Sequence, residues 1–318
     1  MNGDKMIIRL GYVALSKTLD NVTSSKTITY TNYSKEPNQN KIDLLIQNNL
    51  SNLEKILNYN VKNNIHFYRL TSKLIPLATH PKLNFDYINK FRKQYDQLSK
   101  IIHENKMRVD FHPDQFTVLN STNQTVIINT FKILEYHYNL LKALNITNQI
   151  IILHVGSNVF GKQNSLTRFI NNFNKLSNEI KRTIAIENDD KIFNIEDVLK
   201  LSKIIQVPVV LDYHHHVCNY IKYDIDYYLP EIIKSWNSKT PKIHFSSPKS
   251  KLKKDFRSHS EYIDIEAFIN FIEKLKKYQI DIDIMIEAKG KDEALFRLVC
   301  QLKYRTNYKF IDETSFEI

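Results

Sequence analysis

The residues best able to do chemistry stand at the ends of apolar runs. Val207-Pro208-Val209-Val210-Leu211 leads into Asp212-Tyr213-His214-His215-His216, so a carboxylate closes a strand-length run and an imidazole follows three positions later. One hard oxygen and one imidazole from a short turn suit Zn²⁺ or Mn²⁺ better than Ca²⁺ or Mg²⁺. The pattern recurs. His112 follows Met107 to Phe111, His154 follows Ile150-Ile151-Ile152-Leu153, Glu187 follows Thr183 to Ile186, and Glu287 follows Ile282 to Ile286. His244 lies within Lys242-Ile243-His244-Phe245, and His259 falls in the loop behind it. Singly, each has an ordinary explanation, since a strand-end histidine is usually a structural hydrogen-bonding residue and a carboxylate there can cap the next helix. Together, five imidazoles and three carboxylates on one rim would repel one another without cations. Eight donors exceed what one ion needs, so two or three divalent metal ions are expected.

The elements that must hold these residues alternate along the chain. Strand candidates at Met6–Leu10, Ile65–Leu70, Met107–Phe111, Ile150–Leu153, Thr183–Ile186, Val207–Leu211, Lys242–Phe245 and Ile282–Ile286 alternate with helical stripes. Ile46, Leu50, Leu53 and Leu57 mark the first helix, and Ile127, Phe131, Leu134, Tyr138 and Leu141 mark a later one. Eight alternations without a linker, repeat or low-complexity break predict a single (β/α)₈ TIM barrel over residues 1–318. In such a barrel the strand ends form the active-site rim. A doubly wound open sheet is the alternative, but the first strand is followed by no Gly-rich phosphate loop and the chain has only five glycines. About thirty polar residues follow the first strand, a length that marks a functional or a disordered loop. His66, His103 and His137 fall away from the predicted rim and receive no role.

Composition narrows the partners. The chain has 318 residues, 42% of them hydrophobic, enough for a large core. No run of eighteen apolar residues and no signal-peptide pattern occurs, so a cytoplasmic, non-membrane protein is expected. Cys218 and Cys300 make neither a disulfide framework nor a zinc cluster and read as free thiols. A net charge of +11 and a pI near 9.3 make a polyanion, nucleic acid first, a plausible partner. The loop Ser247–Ser260 concentrates Lys249, Lys251, Lys253, Lys254 and Arg257 beside His259. A polynuclear site with a bridging carboxylate, open to such a loop, favours phosphodiester hydrolysis, with the lysines gripping neighbouring phosphates.

Five segments carry a closer resemblance: Arg9-Leu10-Gly11-Tyr12-Val13-Ala14-Leu15-Ser16, His112-Pro113-Asp114-Gln115-Phe116, Ile186-Glu187-Asn188-Asp189, Pro241-Lys242-Ile243-His244 and Ile286-Glu287-Ala288-Lys289-Gly290-Lys291. Together they resemble the UV damage endonuclease family, from about Ile7 to Ala294. The resemblance implies a TIM barrel related to endonuclease IV, holding up to three divalent metals, often manganese. It implies incision of double-stranded DNA immediately 5′ to pyrimidine dimers, 6-4 photoproducts and some other distortions, leaving a 3′-hydroxyl and a 5′-phosphate. Its metal ligands match His112, His154, Glu187, Asp212, His215, His244, His259 and Glu287, with Glu187 as the bridging, catalytic carboxylate. His80 matches a further site histidine, as ligand or phosphate contact, and Lys242 matches a lysine carboxylated in some members. Gln115 and Phe116 match the pair that probes the lesion, where some members have Tyr in place of Phe116. Tyr12 and Ser16 fall where the family contacts DNA, and Ser16 is Asn in some relatives. The whole reading is a monomeric, metal-dependent DNA repair endonuclease. Its rivals are an apurinic-site endonuclease or a metal-dependent sugar isomerase on the same barrel, and a non-enzymatic DNA-binding module.

Overall fold

The computed structural model describes residues 5–220 and 222–318. The chain runs β1 (Ile7–Val13), α1 (Tyr30–Lys35), α2 (Gln39–Lys62), β2 (Phe67–Leu70), α3 (Arg92–Glu104), β3 (Arg108–Phe111), α4 (Gln124–Ala143), β4 (Ile151–His154), α5 (Lys162–Asn174), α6 (Asn178–Lys181), β5 (Ile184–Glu187) and α7 (Ile195–Ile205). It continues with β6 (Val209–Asp212), α8 (Tyr213–Cys218), α9 (Ile225–Ser235), β7 (Lys242–Phe245), α10 (Ile265–Leu275), β8 (Ile282–Ile286), α11 (Lys291–Arg305), β9 (Lys309–Phe310) and β10 (Ser315–Glu317). Strands β2 to β8 pair in parallel in chain order, β8 pairs β1, and Tyr12 and Val13 of β1 pair Tyr68 and Arg69 to close the ring. This is a (β/α)₈ barrel. Each of its strands is covered by helices outside and packed within, which is why near-continuous apolar runs marked them in the sequence.

Closure depends on Gly11, where a Cβ would lie 2.1 Å from the Phe67 carbonyl oxygen. The antiparallel hairpin β9–β10, which no sequence pattern marked, pairs with Ile7, Ile8 and Arg9 along the edge that β2 takes further on. The polar stretch after β1 is ordered. Asn49 and Asn52 of α2 bond Lys26 and Thr23, and α1 is capped by Thr29.

Inside the barrel the two-residue period sorts the filling. Ile152, Ala185 and Val210 form a small apolar cluster with Ile150 and Trp236. The other half is ionic: Asp283 accepts from Arg9 and Arg108, and above it Lys242 pairs with Asp110. The same period then carries His112, His154, Glu187, Asp212, His244 and Glu287 to one end of the barrel.

Candidate metal centre

Glu187, 1% exposed, is the hub of this end. Its Oε2 accepts from His112 Nε2 at 2.7 Å and lies 3.4 Å from His154 Nε2. Its Oε1 accepts from His244 Nδ1 at 2.6 Å and lies 4.0 Å from His215 Nδ1. Three donor groups could each hold an ion: His112, His154 and Glu187; Glu187, Asp212 and His215; Glu187, His244 and Glu287. Within each, the donor atoms lie within 4.8 Å of one another. Glu187 belongs to all three. Seven of the eight ligands expected from the sequence are therefore brought together.

Local structure fixes these donors. Asp212 ends β6 and caps α8, its Oδ1 accepting the His215 backbone N–H at 2.7 Å. The short turn expected after β6 is the first turn of a helix, and of its three histidines only His215 belongs to a donor group. His214 and His216 are buried elsewhere, the first beside Phe256 and the second against Tyr220 and Tyr228. Asn188 side-chain atoms bond both the N–H and the carbonyl of Asp212, while its own carbonyl takes the His215 Nδ1 proton at 2.9 Å. That last bond fixes the orientation of the His215 ring, as backbone partners of metal-binding histidines do.

The donor chemistry fits divalent metal ions. The second oxygen of Asp212 is buried without a hydrogen-bond partner, 3.6 Å from His215 Nδ1, a costly state unless a cation answers it. Burial holds His154 below its usual range and His244 down to about 4, so both are neutral ligands. Burial opposes ionisation of Glu187, but the ring N–H groups that His244 and His112 turn toward it, with His154 beside them, outweigh burial and hold the carboxyl well below its usual range. Burial pushes Asp212 up to about 7. His215 is depressed by burial but raised to about 9 by Asp212, Glu187 and Glu287. These last two groups share protons that a cation would displace.

Arg69 was missed by sequence reasoning. It donates from Nη1 to Glu287 Oε1 and from Nη2 to His244 Nε2, both at 2.6 Å, and its Nε lies 3.8 Å from Asp110. The one available signal was an arginine inside Phe67-Tyr68-Arg69-Leu70, a strand buried at every position.

Other expected residues lie differently. His259 stands outside the three donor groups, with its ring 6.3 Å from that of His215. His80 also stands outside them, stacked on Tyr30 at 3.9 Å. Lys242 is fully buried beneath the cluster and bonds Asp110, and burial lowers it to about 7. Its Nζ meets Asp110, which in turn lies 3.8 Å from Arg69, and it stands outside the three donor groups. Tyr12 and Ser16, expected among the DNA contacts, turn inward. Tyr12 is 0% exposed with its hydroxyl on Asn60, and Ser16 is 7% exposed with its hydroxyl on Asp292. Asp292 also takes the Lys17 and Thr18 N–H groups, so this loop is a brace. His137, set aside in the sequence, is buried against Phe111 and helps wall a cavity of about 620 Å³ that reaches Arg69, His112 and His154.

The rim residues expected to meet a ligand are open. Phe116 is 75% exposed, which excludes packing in the barrel wall, and with Gln115 it borders a second cleft of about 480 Å³ reaching His154 and His215. Lys251, Lys253, Lys254 and Arg257 are exposed, Arg257 lying 3.7 Å from Asp190.

Comparison with known proteins decides the family. The family model described as UV-endonuclease UvdE matches residues 8–316. The chain belongs to that family. A protein of Bacillus mycoides (strain KBAB4) named UV DNA damage endonuclease is 39% identical over 318 residues, covering 98% of this chain and 100% of the relative. The crystal structure of SacUVDE superposes with a TM-score of 0.85 at 32% identity, covering 93% of this chain and 98% of that one. Endonuclease IV from Thermus thermophilus matches with a TM-score of 0.58 at 12% identity over 93% of this chain and 99% of that one, a likeness of fold alone. Among the described residues no helix is long and apolar enough to cross a membrane.

Proposed function

We propose that this UvdE-family chain is a metal-dependent DNA repair endonuclease. It hydrolyses the phosphodiester immediately 5′ to UV photoproducts and leaves a 3′-hydroxyl and a 5′-phosphate. The observation that carries the reading is Glu187, shared by three donor groups beside an exposed Phe116. Divalent ions, Mn²⁺ first and Zn²⁺ second, would neutralise the phosphate, acidify a water and stabilise the attacking and leaving oxygens. His112, His154, Asp212, His215, His244, Glu187 and Glu287 would hold them, with His259, whose ring lies 6.3 Å from that of His215, as a further ligand.

The remaining roles belong to this chain's own groups. Arg69 fixes Glu287 and His244 in place, and the Lys242–Asp110 pair supports Arg69 from below. Phe116 and Gln115 enter the distorted duplex, where unstacking is cheapest, and the lysine loop tracks the backbone. His80, held against Tyr30, contacts a flanking phosphate. The chain works as a monomer. The test is end mapping on a labelled duplex with one photoproduct: a single cut 5′ to the lesion, with products that a 3′-hydroxyl-requiring polymerase extends, is expected. Cutting only at abasic sites would replace this reading with an apurinic-site endonuclease.

A further inference from the structure

Phe160 sits in the β4–α5 connection, 75% exposed, with Val159 beside it at 42%. Its φ is +62°, the left-handed region that a phenylalanine rarely adopts. An exposed ring on strained backbone carries two costs, and glycine would avoid both. The loop is nevertheless braced in this shape. The Val159 carbonyl accepts from Arg168 Nη2 at 2.6 Å and from Ser165 Oγ at 3.2 Å, and the Phe160 carbonyl accepts from Asn164 at 2.8 Å.

The same braces reach the loop that carries Gln115 and Phe116. Arg168 Nε donates to the Asn120 carbonyl at 2.9 Å, and the Asn120 side chain bonds both the carbonyl and the N–H of Ser157. Gly156, at φ +110°, lets them meet, since a Cβ there would lie 2.4 Å from Asn120 Oδ1. Two rings, each 75% exposed, therefore stand on two cross-linked loops at the strand ends that present the donor cluster.

We infer that Phe160 is a second aromatic contact to DNA, resting on a base or sugar near the step that Phe116 opens. The inference rests on the endonuclease reading. Aromatic faces accept any base, and apolar side chains entering the groove recur among proteins that bend DNA. A strained, exposed ring continuous with the probing loop fits that occupant. The test compares Phe160→Ala, Phe160→Gly and Phe160→Trp with wild type on a duplex bearing one photoproduct. Incision kinetics are read together with the fluorescence of a 2-aminopurine beside the lesion. Phe160→Ala and Phe160→Gly are expected to raise KM about tenfold with kcat held, and to reduce the 2-aminopurine response. Phe160→Trp should restore both, and Phe160→Gly should melt at or above the wild-type temperature. Unchanged KM and fluorescence in the Ala and Gly variants would overturn the inference and leave the ring to a protein partner. Melting of the Gly variant well below wild type would overturn it by showing a structural role. Failure of the wild-type enzyme to cut the lesion duplex would refute the endonuclease reading itself, whatever the variants do.

Discussion

Replacing Arg69 with methionine tests how the donor cluster is held without metal. The side chain is 7% exposed and contacts Glu287, His244 and Asp110. Burial works against its charge, but Glu287, Asp110 and Glu187 outweigh that and hold the guanidinium charged. Methionine has similar length and no charge, so in the metal-free protein Glu287 loses its cation. Asp110 keeps Lys242, which limits the damage to one uncompensated carboxylate. Removing one partner of a buried pair costs about 3–5 kcal/mol. For a chain of 318 residues the unfolding entropy is about 0.7 kcal/mol per kelvin, so Tm should fall by about 4–7 °C after chelation. Mn²⁺ supplies positive charge beside Glu287, so adding it should raise the variant's Tm more than that of wild type. Thermal melts with chelator and with excess Mn²⁺ are the assay. A loss of equal size under both conditions would refute the reasoning and make Arg69 a packing residue.

Phe116→Ala should leave metal content and Tm unchanged while slowing incision of a photoproduct duplex, with a smaller loss where the lesion lies opposite unpaired bases. A large drop in Tm would count against the wedge. In the loop after β7, Lys251, Lys253 and Lys254 form no ion pair among the described residues, unlike Lys249 with Asp255. Replacing Lys253 and Lys254 with Ala should lower the slope of log K against log salt by about 1.8, read by DNA titration at several salt concentrations, and an unchanged slope would make the loop plain surface. Mn²⁺ affinity should rise with pH between about 6 and 9. Its proposed ligands Asp212, held up to about 7, and His215, held up to about 9, would have to release protons that compete with the ion. Calorimetry in buffers of different ionisation enthalpy would show the release, and pH-independent affinity without it would contradict the assignment.

The barrel was legible in the sequence because its strands are buried on both faces. Lys242–Phe245 and Ile282–Ile286 have the bounds read from the sequence. The donors were legible because a polar residue ending such a run has one place to go, the rim. What was hidden depends on partners distant in the chain. Arg69 is intelligible only with Glu287, 218 positions away, beside it. Tyr12 and Ser16 lie in a motif, and the motif does not show that Asn60 and Asp292 take their hydroxyls inward. The run of three histidines could not show which would face the donors, since that depends on Asp212 starting a helix rather than a loop. The β9–β10 hairpin is short and only partly apolar, stable only against β1.

The most direct measurement is nicking of supercoiled plasmid, UV-irradiated or not, by chelated protein before and after Mn²⁺ is restored, for wild type and Glu187→Gln. Glu187 joins all three donor groups, so its loss should lower the rate by at least about two orders of magnitude while the fold survives. The expected result is nicking of irradiated plasmid only, only with metal, and only by wild type. Equal nicking of both plasmids, nicking that persists without metal, or a Glu187→Gln variant as fast as wild type would contradict it.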